Sequence, residues 1–347
     1  MVYNIQKLKI FLLVLASSLV LLTGCNVIDG IFEKDKKQKN TIHPVLLNGK
    51  WGYINQNGEM VISPRYDEAR DVSGNYAAVR NGTLWGFVKE NPIEVVVTSK
   101  FAILGEFENG LAPAQLPGGK YGYIDGTGEF FFDPQFDFAT KFSDGYAAVR
   151  TDGLWGYVTS SGSIAIEPAF SGAKPFSDDL AAVETFDGWV YINSAGETVL
   201  QPSFRITDAG EFEDGLAPIQ TVDGWGYINR SGNPVIASNY DEAGKFVDGT
   251  AWVNVNGYIG YIDKKGKLFI PPQFKNVKPF SENIAAVQVN NNWFYISKNS
   301  GKIVIKEPYK NAESFVNGIA RVQKGEGENA TYGYLNKNGE YIWFPTK

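Results

Sequence analysis

Trp51-Gly52-Tyr53-Ile54 returns along the chain as Trp85-Gly86-Phe87-Val88, Tyr121-Gly122-Tyr123-Ile124, Trp155-Gly156-Tyr157-Val158 and Trp225-Gly226-Tyr227-Ile228. Weaker copies are Trp189-Val190-Tyr191-Ile192, Ile259-Gly260-Tyr261-Ile262, Trp293-Phe294-Tyr295-Ile296 and Tyr332-Gly333-Tyr334-Leu335. The nine copies start 34, 36, 34, 34, 36, 34, 34 and 39 residues apart, so the chain is an array of one small unit.

Counting the tryptophan as zero, position +4 is Asn, Asp or Thr and +7 is Gly in most copies, as in Asn55/Gly58, Asp125/Gly128 and Thr159/Gly162. The first oxygen accepts from turn amides and the glycine supplies a left-handed residue. A second turn precedes zero, as in Asn48-Gly49, Asp152-Gly153 and Asn256-Gly257. Asn-Gly and Asp-Gly between apolar alternations are strong hairpin signals. Three short strands fit around these turns, as in Ala147–Arg150, Trp155–Val158 and Ser163–Ile166. The third strand stops at a proline at +13, for example Pro64, Pro134 and Pro168, because proline cannot donate to a ladder. The connection that follows carries an aromatic at +15 (Tyr66, Phe136, Phe170) and another near +21 (Phe142, Phe176, Phe246, Phe280). Each unit of about 34 residues therefore reads as a three-stranded antiparallel β-meander with a packed loop.

Side chains alternate along a strand, so zero and +2 share one face and +1 and +3 the other. Glycine at +1 lets another backbone or ring approach closely, and Val190 and Phe294 require that approach to be relaxed. Most of the 8 Trp, 18 Tyr and 23 Phe sit at repeat positions, the mark of packing rather than of a ligand site.

The combination W-G-Y-I-N, x-x-G, V-I, P-x-Y-D-x-A, F-x-x-G and A-x-V over residues 44–347 resembles the WG-repeat (KWG-repeat) family of bacterial proteins. That resemblance implies an exported or surface-associated protein with a binding or scaffolding role, and it brings no catalytic residues. Both end units read as complete, from Pro44-Val45-Leu46-Leu47 to Tyr341-Ile342-Trp343-Phe344, with no split blade. Nine units also exceed the usual blade number of a propeller. An open, curved or superhelical all-β solenoid is expected, with a closed propeller-like ring as the alternative. The apolar Trp343-Phe344 end favours the alternative, since a terminal cap should be polar.

Ahead of the repeats, Lys7 and Lys9 precede an uncharged apolar run, Ile10 to Leu22, too short to span a bilayer. It ends in Leu22-Thr23-Gly24-Cys25, which resembles the lipobox of bacterial lipoproteins. Residues 1–24 are expected to be a signal peptide, with Cys25 the lipid attachment site. Residues 25–43 then form a polar tether and residues 44–347 the repeat domain, held at the outer face of a bacterial membrane. Cys25 is the sole cysteine, so no disulfide supports the fold. Loss of the leader moves the net charge from −6 to −8, and without a basic patch nucleic acid is a poor partner.

Little in the inventory points to chemistry. The single histidine, His43, is expected to be a solvated tether residue, which excludes a histidine triad or metal cluster. Asp144, Asp214 and Asp248 lie in Asp-Gly pairs without the dense ligand series of a calcium loop. Asp67, Asp137 and Asp241 recur at +16, and recurrence argues for a structural task. No cofactor, metal or catalytic residue is assigned. A surface scaffold for protein partners is the leading reading, a cell-wall or glycan binder using exposed aromatics the alternative, and a carboxylate-based enzyme the remote one. Departures from the repeat are where recognition is expected, notably Asn91-Pro92-Ile93-Glu94 and the insertion Lys324–Ala330.

Overall fold

The computed structural model describes residues 42–347; the leader, Cys25 and the tether up to residue 41 lie outside the described residues. Nine small antiparallel sheets follow one another in chain order, spanning 43–66, 68–101, 103–136, 138–170, 172–200, 208–240, 242–274, 284–309 and 311–346, here blades 1 to 9. Blade 4 is representative: Phe138–Ala139, Tyr146–Thr151, Leu154–Thr159 and Ile164–Phe170 pair in that order. The last three are the strands expected from the turns. The first is a two-residue strand inside the connection, present in seven blades; it is too short to leave an alternation in the sequence. Lys141, Lys174, Glu211 and Lys245, which follow these short strands in four successive blades, line one cavity. The short-strand edge of each blade therefore points toward the ring axis.

Neighbouring blades are joined by the tyrosine at +2. Its ring is fully buried on the face toward the next blade, and its hydroxyl donates to a carbonyl in the connection that leads into that blade. The bonds run Tyr53 to Arg70 (2.9 Å), Tyr123 to Thr140 (2.7 Å), Tyr157 to Lys174 (2.7 Å), Tyr191 to Gly210 (3.0 Å), Tyr227 to Gly244 (2.7 Å), Tyr261 to Lys278 (2.9 Å) and Tyr295 to Glu313 (2.8 Å). The +21 phenylalanine packs on the same ring, at 4.8 Å for Tyr157–Phe176 and 4.6 Å for Tyr261–Phe280. Position +3 faces the preceding blade, as Val158 does against Tyr123 and Phe142. Blade 2 has Phe87 at +2 and no hydroxyl to offer. There the Leu104 carbonyl takes its hydrogen bond from the Arg70 guanidinium instead, at 2.8 Å.

The array is closed, which corrects the expectation of an open solenoid. Blade 9 meets blade 1 through the same +2 hydroxyl contact that joins most blades to their successors. Tyr334 donates to the Pro44 carbonyl at 2.9 Å, and Thr346 Oγ1 donates to the Leu46 carbonyl at 2.5 Å. Val45 and Ile54 of blade 1 pack with Ile319 and Tyr334, with Ile342 and Trp343 against them, which accounts for the apolar final strand. A Cβ on Gly58 would lie 2.4 Å from the Ile342 carbonyl oxygen, the same turn-on-strand seating that sets Gly196 against Ile166. A split blade is one way to fasten a ring. Here each blade is continuous in sequence and the fastening is made by side chains, so the intact end units did not exclude closure.

Glycine at +1 has the close approach expected of it, chiefly to its own third strand. The ladder jumps from Trp155↔Phe170 to Tyr157↔Ile166, a bulge that places three residues opposite Gly156. A Cβ there would sit 2.4 Å from the Ile166 carbonyl oxygen and 2.7 Å from the Pro168 nitrogen. In blade 5, where Val190 occupies +1, the third strand is only Thr198–Leu200 and pairing stops at Tyr191↔Leu200. Trp189 thus loses the +15 partner that Trp155 has. Phe294 keeps the bulged register, Trp293↔Tyr309 and Tyr295↔Ile305.

Two stability changes follow. Gly156→Val forces a branched side chain into occupied backbone and is expected to cost about 1–3 kcal/mol or more. Gly162→Ala, at φ +87°, is expected to cost roughly 1–2 kcal/mol from left-handed strain. Urea melts that leave Gly156→Val unaffected would remove the close-approach role. Tyr334→Phe leaves the buried Pro44 carbonyl without its donor and is expected to cost about 1–3 kcal/mol. The same melts should show a loss similar to that of Tyr157→Phe, because the two bonds do the same task.

Candidate binding site at the ring seam

Blade 1 differs from the other blades in one respect: among the described residues no connection runs along the axial side of its first strand, His43–Leu47. The space is bounded by blades 9, 1, 2 and 3. It forms a cavity of about 560 Å³ lined by Trp51 of blade 1, Glu68 to Ser73 of blade 2, Glu106 of blade 3, and Asn311, Glu313, Arg321 and Tyr332 of blade 9.

Arg321 shows how the sequence adapts. The first long strand of each unit reads Ala-x-Val or a close variant, with x facing the next blade: Ala78, Ala148, Ala182 and Ala286. Ala78 packs against Leu104 and Phe107 of the following connection. Among the described residues no connection follows blade 9, and x is Arg321. Its guanidinium reaches across to Asp71 of blade 2 at 3.2 Å. Asp71 is exposed and Arg321 largely covered, so this is a partly screened ion pair.

Aromatic walls flank the pair. The Trp51 and Tyr332 rings are 5.7 Å apart and half-buried. Behind them His43 is buried, its ring 5.4 Å from Tyr334. It takes the place that a +21 phenylalanine holds elsewhere, which corrects its reading as a solvated tether residue. The described fold begins one residue earlier, with buried Ile42 donating its amide to Glu90 Oε1 at 3.0 Å. Burial, with the charge of Arg321 nearby, lowers the His43 imidazole to about 4, and Nε2 has no hydrogen-bond partner among the described residues.

The other residues singled out in the sequence are structural. Asp67 Oδ2 accepts from the Gly82 amide at 2.6 Å, Asp137 Oδ2 from Asp152 at 2.9 Å, and Asp241 Oδ2 from Asn256 at 2.5 Å. Each carboxylate fixes the hairpin turn of the next blade. Asp214 Oδ2 accepts from the Gly249 amide at 2.7 Å, and Asp144 Oδ2 from Asp179 at 3.4 Å, tying turn to turn around one face. Asp248 holds a turn at φ 49°, and its carbonyl accepts from Lys298 Nζ at 2.6 Å. Among the described residues no three His, Cys, Asp or Glu side chains gather as a metal site. The insertion Lys324–Ala330 folds into a 3-10 turn over Gly327–Asn329, with Glu326 paired to Lys310 at 2.8 Å. In the other departure, the Asn91 carbonyl accepts from Asn75 Nδ2 at 3.2 Å and Ile93 is exposed. Neither segment contributes to the seam cavity.

Repeat-position aromatics form no exposed row. The residues at zero, +2, +15 and +21 are buried or half-buried throughout, and the exposed rings Phe131, Phe138, Phe186, Tyr258 and Phe344 fall at five different repeat positions. Trp51 was legible only as a packing residue. Arg321 had a signal, an arginine where the unit otherwise places Ala, Pro or Trp, whose meaning depends on knowing that the ring closes.

Nine continuous antiparallel blades around an axis define a β-propeller. Residues 51–85, 121–155, 155–188, 189–224, 225–258, 259–293 and 293–327 match the model of the WG containing repeat, and the chain belongs to that family. Within the repeat domain residues 44–50, 86–120 and 328–347 are left unmatched; Asn91–Glu94 falls in the second of these stretches, and Lys324–Ala330 straddles the start of the third. No curated protein is similar enough to count as a relative. Among solved structures, a eukaryotic initiation factor superposes with a TM-score of 0.65 at 11% identity, covering 87% of this chain and 94% of that one. The computationally designed Ika8 protein gives 0.46 at 11% identity, over 87% and 95%. BamB from Moraxella catarrhalis gives 0.46 at 14% identity, over 69% and 86%. The likeness to the initiation factor is one of fold.

The buried imidazole makes the seam acid-sensitive. An unfolded histidine titrates near 6.5 and His43 near 4, so between these values the unfolded chain holds the extra proton and stability falls as pH falls. The full shift corresponds to roughly 3 kcal/mol at 1.36 kcal/mol per unit. Denaturant melts from pH 7 to 5, above the range where carboxylates dominate, should show a decline that His43→Gln removes. An unchanged slope in that variant would show that the acid sensitivity arises elsewhere.

Proposed function

We propose that this chain is an exported, non-enzymatic binding protein, anchored through lipid on Cys25 to the outer face of a bacterial membrane. Its ring serves as a scaffold for protein partners at the envelope. The observation that carries the reading is the commitment of the repeat to itself. The +2 hydroxyls are bonded from blade to blade, the +16 carboxylates hold turns, and the recurrent aromatics are covered. What remains for recognition is the place where the repeat is interrupted, the seam cavity. The lack of an exposed aromatic row favours a protein partner over a glycan, since sugars stack on open rings. The apolar run ending in Leu22-Thr23-Gly24-Cys25 supports the anchor.

Radiolabelled palmitate is expected to enter the wild type and not Cys25→Ser; equal labelling of both would remove the anchor. Purified ring offered to envelope protein extracts and to peptidoglycan should retain a protein partner and not the wall polymer. Retention by peptidoglycan alone would turn the reading toward glycans.

A further inference from the structure

We propose that the seam cavity is a receptor for a lysine or arginine side chain, presented by an extended segment of a partner protein and seated over the Trp51 indole. The proposal rests on the scaffold reading above and names what that scaffold grips.

The first support comes from the chain's own solution in other blades. In two blades the cation at this place in the connection lies over the tryptophan at zero, while in blade 8 the equivalent Lys278 pairs with Glu313 instead. Arg70 sits 3.9 Å from the Trp85 centroid, and Lys174 sits 5.2 Å from Trp189. Ring faces attract cations through their quadrupole, tryptophan most strongly. Blade 1 has the tryptophan and, among the described residues, no such connection. Trp51 therefore faces the cavity with Tyr332 as a second wall.

Charge supplies the second support. Glu68, Asp71, Glu106 and Glu313 line the cavity against Arg70 and Arg321. Both arginines are engaged: Arg70 with the Leu104 carbonyl and Trp85, Arg321 with Asp71. The carboxylates are engaged too, Glu68 with Arg80 at 2.8 Å, Glu106 with Lys141 at 2.7 Å and Glu313 with Lys278 at 3.0 Å, but they stay partly exposed. An entering anion would compete with them for cations already held, whereas a cation can share their open oxygens and meets an aromatic face. The third support is size. A cavity of about 560 Å³ holds a long side chain together with some of the backbone that carries it, within the usual range of binding sites.

The test uses the full chain and fluorescein-labelled, end-capped peptides Ala-Ala-X-Ala-Ala with X as arginine, lysine, norleucine or glutamate, read by anisotropy at low and physiological salt. Arginine and lysine peptides are expected to bind at least tenfold more tightly than the norleucine peptide, and to weaken as salt rises. Trp51→Leu is expected to abolish that preference. Trp51→Phe, which keeps an aromatic wall, should retain part of it, and thermal melts identify any variant that fails to fold. Equal binding of norleucine, preference for glutamate, no binding of any peptide at millimolar concentration, or indifference to both folded Trp51 variants each overturns the proposal. Failure of this proposal is separable from failure of the scaffold reading. If wild type and Trp51→Leu retain the same envelope partners, the scaffold stands and the cation site falls. If arginine peptides bind through Trp51 while no envelope protein is retained, the scaffold reading falls and the site stands.

Discussion

A single hydrogen bond, from the tyrosine at +2 to a carbonyl in the next blade, sets the spacing of the whole ring. Its donor is buried beyond reach of water, so the bond must be made or the fold bears the cost of an unsatisfied hydroxyl. Burial also pushes these phenols well above their ordinary range, so they remain donors throughout the pH range of a living cell. The ring that carries the hydroxyl packs on the +21 aromatic, so each unit delivers an apolar surface and a directional bond to its neighbour together. Geometry within a blade serves this contact: the bulge opposite Gly156 draws the third strand across the blade and frees both faces of the tryptophan strand for neighbours. Where one member is missing, another substitutes, as Arg70 does for the hydroxyl that Phe87 lacks.

Much of this was legible in the sequence, and the reason is local. The turns at Asn55/Gly58 and Asp152-Gly153, the proline stop and the glycine at +1 all act over a few residues, and repetition amplified each signal. Val190 was readable as a place where packing must give way, and blade 5 shows how: the third strand ends early. The two-residue short strands escaped notice because a pair of residues has no period. Closure was held only as the alternative, signalled by the apolar Trp343-Phe344 end, because it depends on the sum of small rotations between blades. His43 and Arg321 were misread or missed for the same cause. Each stands where other blades have part of a connection, and that has meaning only once blade 9 is known to lie beside blade 1.

The candidate site inherits its character from that junction. Among the described residues eight junctions are made with a connecting segment and one without, and the ninth is where the internal symmetry of the molecule stops dictating which side chains must be present. Arg321 and Asp71 are free to differ from their counterparts because no connection among the described residues constrains them. Recognition in repeat proteins is often sought in long loops, yet the insertion of the ninth unit folds on itself and takes no part in the seam cavity.

Fastening by side chains has a further consequence for how such a ring can change over generations. In a propeller whose last blade borrows a strand from the other end of the chain, the clasp is shared property, and gaining or losing a repeat must preserve both halves of it. Here every blade is contiguous, and the clasp is the ordinary neighbour contact with His43 and Thr346 standing in for absent parts. A duplication of one 34-residue segment inside the array would insert a blade whose two faces already match its new neighbours. Only the angle between blades would need to be redistributed. Blade number in such a molecule is a matter of curvature, open to drift by whole units, while the contact that joins them stays the same.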